Sequence, residues 1–325
     1  MARDVSPMAR RKAARVGDQQ AQPVHRSQRT RARTPEEAGV REMDLTHARH
    51  DAGHVLAPGL FRCLGPGDRR VMKLDVTYRL GECDQIEFKG FEPLDATDLR
   101  VLQGLVAMSG PDGRMLRDDG KASDLGDQLM ERLFTPPEPE AEPFPRRWPD
   151  TLAIYDSFRA LARAVGMDEG GKTVRQIKRS VERLFGVTVF VQHGKRRVGM
   201  RMLSTYASDE ASGALRVAVN ARLASAILGD VRHVRIDLTE VRALESDPAR
   251  LIHQRLSGWI DPGETRKASM DTLMGYAWPL PPTEAAVRKR RVKVRAAMEE
   301  LRRVGWTVTE DRSGFTIGRP SLPSR

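Results

Sequence analysis

The sequence has few cysteines, few aromatic residues and no long apolar run. Its 325 residues include two cysteines, Cys63 and Cys83, too few for a disulfide scaffold or a cysteine-rich zinc site. No apolar run approaches the roughly 20 residues of a membrane-spanning helix, and the first thirty residues lack the apolar core of a signal peptide. We therefore expect a cytoplasmic protein of about two ordinary domains.

Positive charge is abundant and unevenly distributed. Lysine and arginine number 55 against 44 acidic residues, a net charge of +11, while aromatic residues make up only 5%. The scarcity of aromatics argues against base-stacking platforms, and the basic excess favours a polyanionic partner bound through its phosphates. Residues 1–41 carry ten basic and four acidic residues, residues 42–206 carry 25 of each, and residues 207–325 carry 20 and 15. The excess thus lies in the N-terminal tail and in the C-terminal third.

Two segments lack the pattern of regular structure. The N-terminal segment 1–43 has almost no large apolar residues and no periodicity, which predicts a disordered basic tail. It is either a basic arm on DNA or a solvated extension without a role. The segment 135–149 has six prolines, which exclude a helix or a central strand and predict an extended loop within a domain.

The first half predicts the order of a winged helix-turn-helix. A hairpin over 73–88 precedes helices expected at 95–108, 156–165 and 173–185, the last with Thr173 as its N-cap. A second hairpin follows, with Q-H-G-K-R-R at its turn. In this fold the third helix enters the major groove of DNA, and the hairpin, or wing, lies along the backbone.

Arginine and glutamine can read guanine and adenine edges through paired hydrogen bonds. The polar face of the third helix and the wing therefore supply candidate DNA-binding residues, and the alternative is an ordinary solvated face. The candidates in this half are Arg175, Gln176, Arg179, Arg183, Lys195, Arg196 and Arg197.

The second half repeats the order. Strands are expected at 214–219 and 233–237, followed by helices at 247–260, 267–278 and 283–305 and a terminal hairpin around D-R-S-G. The run R-K-R-R-V-K-V-R opens the long helix, where cations oppose the helix macrodipole at about 0.3–1 kcal/mol each. A phosphate partner would remove that cost, so we favour DNA contact over a solvated cluster. The candidates here are Arg288, Lys289, Arg291, Lys293, Arg295 and, in the wing, Arg312.

Two motifs suggest other chemistry. Residues 166–173 fit the phosphate-binding pattern G-x-x-x-x-G-K-[ST], but that loop requires a preceding strand. What precedes Gly166 is helical in period, and Asp168 and Glu169 would repel phosphate, so a turn between helices is the better interpretation. His47, His50 and His54 could place three imidazoles on one helix face, but Gly53 weakens such a helix and no other ligand follows closely. We expect neither metal nor cofactor.

Several stretches closely resemble the replication protein C (RepC) family of IncQ-type plasmids. They run in one order from about residue 46 to 319 and include L-A-P-G-L-F-R, D-L-R-V-L-Q-G-L-V-A-M, H-Q-R-L-S-G-W-I-D-P-G and G-W-T-V-T-E. The resemblance implies a plasmid replication initiator that binds directly repeated origin sequences (iterons) in double-stranded DNA. It also implies help in origin opening and recruitment of a separately encoded helicase and primase. The tail and the proline-rich segment depart from the family.

We therefore expect an α+β chain of two tandem winged helix-turn-helix domains, 44–207 and 208–325, joined by a short link around 208–213. We expect a non-enzymatic DNA-binding protein, with homodimerisation left open. The alternatives are a winged-helix transcription regulator and, from another class, a P-loop nucleotidase or helicase.

Overall fold

A computed structural model describes residues 45–79, 84–110 and 152–322 of the chain. The predicted tail 1–43 and the proline-rich segment 135–149 lie outside these ranges. The helices are α1 (Ala52–Leu56), α2 (Asp68–Val71), α3 (Ala96–Met108), α4 (Phe158–Ala164), α5 (Gly171–Phe185), α6 (Ala221–Leu228), α7 (Leu238–Ala243), α8 (Asp247–Trp259), α9 (Met270–Ala277) and α10 (Glu284–Arg303). The strands are β1 (His47–Asp51), β2 (Leu74–Arg79), β3 (Asp84–Gly90), β4 (Ala153–Ser157), β5 (Thr188–His193), β6 (Arg196–Arg201), β7 (Leu203–Asp209), β8 (Ala214–Val219), β9 (His233–Asp237), β10 (Thr265–Ala268), β11 (Thr307–Asp311) and β12 (Gly314–Gly318).

The strands form small antiparallel sheets, so the expected mixture of helices and antiparallel strands is confirmed. The sheet orders are β2-β3-β5-β6, β4-β8-β7 and β10-β12-β11, and β1 pairs with β9 as a ribbon. The predicted hairpins β2–β3, β5–β6 and β11–β12 are all present. The β5–β6 hairpin is not free-standing, because β5 also pairs with β3.

Local sequence explains where the helices begin. Asp95 and Asp98 form a reciprocal capping box at the start of α3, and the Ser269 side chain caps α9 by accepting from the Thr272 N–H. The predicted N-cap at Thr173 is wrong, because α5 begins at Gly171 after Gly170. The Thr173 hydroxyl donates instead to Asp168 Oδ2 at 2.5 Å.

Two hydrophobic cores lie on either side of helix α8. The first is built mainly from residues 45–241, together with Leu251 and Ala277, and the second from residues 244–317. Helix α8 contributes side chains to both cores, since Leu251 belongs to the first core and Ile252 and Leu256 belong to the second.

The two cores meet later in the chain than the expected domain boundary. We expected the second domain to begin at residue 208, but the link 208–213 is the turn between the paired strands β7 and β8. The residues that follow it, up to Val241, contribute to the first core, so the cores divide near Leu244. Whether the two parts fold as separate domains stays a prediction.

Buried polar contacts tie the two cores together. Glu240 of α7 accepts hydrogen bonds from Trp306 Nε1 at 2.9 Å and pairs with His253 Nε2 of α8 at 2.6 Å. Gln103 of α3 donates to Gln254 of α8 at 2.8 Å, and both side chains are buried. Because buried polar groups are costly when unpaired, these contacts fix the orientation of α8 relative to both cores.

Candidate nucleic-acid interface

Helix α5 is strongly amphipathic. Ile177, Val181 and Leu184 are fully buried against the first core, and the opposite face leaves Arg175 and Arg179 exposed. Within the described chain neither of these two guanidinium groups makes an ion pair or hydrogen bond. They are therefore available to an external anion.

Two other candidates on α5 have internal partners. Gln176 is exposed, and its amide donates to Thr97 Oγ1 at 3.2 Å, a single surface hydrogen bond that leaves the side chain accessible. Arg183 is different, because its Nη2 donates to Asp98 Oδ1 at 2.7 Å and its Nε lies 3.1 Å from the same oxygen. Asp98 is completely buried and also accepts from the Ser180 hydroxyl at 2.6 Å. Arg183 is therefore engaged in a buried ion pair between α3 and α5.

The β5–β6 hairpin carries the predicted basic turn. Gly194 has a positive φ of 56°, the left-handed conformation that a two-residue hairpin turn requires, and Lys195 beside it is exposed. Arg196 is exposed next to the turn. Arg197 lies with its guanidinium 4.5 Å from the centre of the Phe190 ring and donates to Glu87 at 2.9 Å. The charge of Arg197 is therefore already neutralised by Glu87. Of these two cations, Lys195 is the more accessible to an external anion.

Helix α10 buries its apolar face and exposes its basic cluster. Val294, Met298 and Leu301 are buried in the second core. Four cations in the first half of α10, Arg288, Lys289, Arg291 and Lys293, face solvent and have no ion-pair partner within the described residues.

The remaining cations on and near α10 differ in whether they contact other residues of the chain. Arg290 lies over the Trp278 ring, 5.6 Å from its centre, and donates to the Leu280 carbonyl at 2.9 Å, so it lies over the edge of the core. Arg295 pairs with Glu310 of β11 at 2.9 Å, which ties it to the β11–β12 hairpin. Arg312 is exposed in the β11–β12 turn. The unengaged cations are thus concentrated in the first half of α10.

The segment 166–173 is a turn between helices. It follows helix α4, and not a strand, as the helical period before Gly166 predicted. Asp168 accepts hydrogen bonds from the Gly170 N–H at 2.8 Å and from the Thr173 hydroxyl, and these bonds lower the pKa of Asp168. A carboxylate therefore occupies the position next to the start of α5 that a phosphate would need.

The three histidines do not share one helix face. His47 and His50 lie in strand β1 and His54 in α1. His54 Nδ1 lies 2.8 Å from Asp51 Oδ1, and no group of three or more metal-ligating side chains occurs within the described residues. Burial, and then the charge of His54, lower the pKa of His50 to about 3, and both ring nitrogens of His50 lack a hydrogen-bond partner. This is a buried neutral imidazole.

Comparisons with known proteins place these features in context. The model of the protein family described as Replication protein C (RepC) matches residues 42–321. A search of curated proteins found no match. In the described residues, no helix is both long and apolar enough to cross a membrane.

Two crystal structures of RctB resemble the chain. One, of domains 2 and 3 as a selenomethionine derivative, has a TM-score of 0.50 and 10% identity over 82% of this chain and 97% of that chain. The other, of domains 2–3, has a TM-score of 0.48 and 10% identity over 82% and 94%. At this identity the first shows a similar fold and nothing more.

Proposed function

Because the chain belongs to the replication protein C family, we propose that it is a plasmid replication initiator that binds iterons in double-stranded origin DNA. The observation that carries the proposal is a pair of exposed basic helices, α5 and α10, each followed by an antiparallel hairpin. The protein acts in the cytoplasm without an enzymatic activity of its own. It promotes opening of the adjacent origin DNA and recruits a helicase and a primase encoded elsewhere on the plasmid.

The order of elements supports two winged helix-turn-helix modules. In the second half α8, β10, α9 and α10 precede the β11–β12 hairpin, and β10 completes its sheet by pairing with β12. In the first half α3, α4 and α5 precede the β5–β6 hairpin. A helix that follows another across a short turn, with its outer face free, is the usual reader of the major groove. We therefore assign α5 and α10 as the recognition helices.

The charge distribution supports contact with phosphates. Four cations near the start of α10, Arg288, Lys289, Arg291 and Lys293, are exposed and lack an internal partner. Such a cluster repels itself and opposes the positive end of the helix dipole, so the free protein bears a cost that bound phosphates would relieve. Lys195 and Arg312 at the hairpin turns extend the same positive surface to the two wings.

Both recognition helices belong to one chain, so we expect them to enter successive major grooves, about 10–10.5 bp apart. One monomer would then cover about two turns of duplex, and the iterons would be direct repeats of about that length. A transcription regulator of the same fold would instead protect a promoter without such repeats.

A footprint on the native plasmid origin tests the proposal. We expect protection that recurs with each direct repeat and spans about two turns per bound monomer. The matched comparison is the Lys289→Ala/Lys293→Ala protein against Arg303→Ala, which removes an exposed cation from the last turn of the same helix. The double variant should lose the footprint at a protein concentration where Arg303→Ala keeps it. Absence of any protection on the origin by the unaltered protein would overturn the proposal.

A further inference from the structure

A second positively charged feature lies away from both recognition helices. It is a cavity of about 810 Å³ whose walls come from the ends of β2 and β5, from helices α1, α6 and α8, and from strand β9. None of its lining residues belongs to α5 or α10. Its volume falls in the range that small-molecule sites occupy.

The lining is cationic. Five arginines line the cavity against two aspartates, Asp51 and Asp261. Arg222 is neutralised by Asp51, whose Oδ2 lies 3.0 Å from its Nε. Arg319 is held in the wall, because its guanidinium donates to the carbonyls of Ser257 and Arg235 at 2.5 Å each. Burial lowers the pKa of Arg319, so its charge is poorly solvated.

The other three arginines are unengaged. Within the described residues, the side chains of Arg79, Arg232 and Arg235 make no hydrogen bond or ion pair, and Arg79 and Arg232 are exposed. The register of the β1–β9 ribbon explains the placement of Arg235. His50 and Val234 pair on the buried face of the ribbon. Because successive side chains of a strand point to opposite faces, His233 and Arg235 lie on the other face, which is turned to the cavity.

The rest of the lining mixes polar residues, among them His193, Ser225 and His233, with an apolar wall. Leu56, Tyr78, Val191 and Val231 contribute to it, and Val231 remains 44% exposed. A cavity that combines an apolar wall with free guanidinium groups matches a ligand with a flat apolar part and a phosphate. Guanidinium forks bind phosphate oxygens in pairs, and a cleft with walls of one charge sign concentrates anions.

We propose that this cavity binds a nucleotide unit, with its phosphate on Arg232 and Arg235 and its base against the apolar wall beside Tyr78. The site goes beyond the duplex binding proposed above, because it lies off the recognition helices. The same chemistry has two sources, a free nucleotide and a nucleotide within single-stranded DNA.

The test uses the full chain and two probes. A fluorescent ATP analogue (MANT-ATP) reports a free nucleotide, and a fluorescein-labelled dT15 oligonucleotide reports a single strand. We expect at least one probe to bind, and Arg232→Gln/Arg235→Gln to weaken that binding at least tenfold. The control Arg159→Gln removes an exposed cation of α4 that does not line the cavity, and should bind like the unaltered protein. Binding of MANT-ATP identifies the free nucleotide as a ligand, and binding of dT15 alone identifies the strand.

Two further measurements make the result decisive. Thermal unfolding should show the double variant folded, since neither side chain has a partner within the described residues. Arg232→Gln alone, at the exposed position, should already weaken binding of the probe. Affinity for an origin-repeat duplex should change by less than twofold, which separates this site from the recognition helices. The proposal is overturned if neither probe binds the unaltered protein, or if the double variant binds the probe as well as the control does. It is also overturned if the double variant loses as much affinity for the duplex as for the probe.

Discussion

Arg179 is the residue we expect to carry base recognition in the first module. It is exposed on α5 without an internal partner, whereas Lys178 beside it pairs with Glu210. Arg179→Ala should cost about 1–3 kcal/mol on the cognate repeat and relax the preference at one or two base pairs. Lys178→Ala is the matched control and should leave base preference unchanged. Affinities for a set of single-base-substituted repeats would measure both, and uniform weakening of every sequence by Arg179→Ala would mean that Arg179 contacts phosphate.

His50 should make stability depend on pH. Its pKa in the folded protein is about 3 because it is buried, against about 6.5 in an unfolded chain. Between these two pKa values the unfolded state binds a proton at His50 that the folded state does not bind. The free energy of unfolding therefore falls as pH falls below about 6.5. The loss should reach about 2 kcal/mol at pH 5, at about 1.4 kcal/mol per pH unit.

Denaturant unfolding at pH 7 and pH 5 would measure this dependence. His50→Leu should reduce the pH 7 to pH 5 difference by about 2 kcal/mol, because the substitution removes the buried imidazole whose pKa is lowered. An unchanged difference in His50→Leu would show that His50 is protonated in the folded state.

The secondary structure was largely predictable, because the helical periodicity in the sequence marks faces that pack on the cores. The exceptions depend on distant partners. Strand β4 is defined by pairing with β8, and β10, T-R-K-A, is a polar four-residue strand defined only by β12. Sequence patterns carry no signal for such pairing.

The candidate site was predictable in position but not in its internal contacts. The acids that engage Arg183, Arg197 and Arg295 are Asp98, Glu87 and Glu310, all distant in sequence. The Asp95–Asp98 capping box was a visible signal for a buried carboxylate, although it did not identify the arginine.

Helix α10 should bind phosphates more than bases, because its exposed cations form a dense cluster. Lys289→Ala should weaken cognate and random DNA about equally and reduce the slope of log K against log salt by about one unit. Arg303→Ala removes a cation that the C-terminal end of the helix favours and should leave the slope unchanged. A change in base preference caused by Lys289→Ala would assign base reading to α10 instead.

The turn before α5 should not support nucleotide hydrolysis, because Asp168 accepts the Gly170 N–H and the Thr173 hydroxyl. Lys172→Ala should reduce DNA affinity by no more than one lost phosphate contact, about tenfold. A phosphate-release assay should find no ATP hydrolysis in either protein. ATPase activity that disappears in Lys172→Ala would contradict this account of the turn.

At the scale of the whole molecule, α8 joins the two proposed modules. It contributes to both hydrophobic cores, and its His253 and Gln254 are joined to Glu240 and Gln103 of the first core. The modules are thereby held by packing and not by a flexible linker. The central claim is that both basic helices contact one duplex together.

The salt dependence of duplex binding tests that claim most directly. Two modules should contact about 6–10 phosphates, so log K against log salt should have a slope of about −5 to −9. Removing two cations from either module, as Arg175→Ala/Arg179→Ala or Lys289→Ala/Lys293→Ala, should make the slope shallower, by up to about two units where both cations contact phosphates. A slope shallower than about −2 for the unaltered protein, or a slope that responds to changes in only one module, would contradict the account.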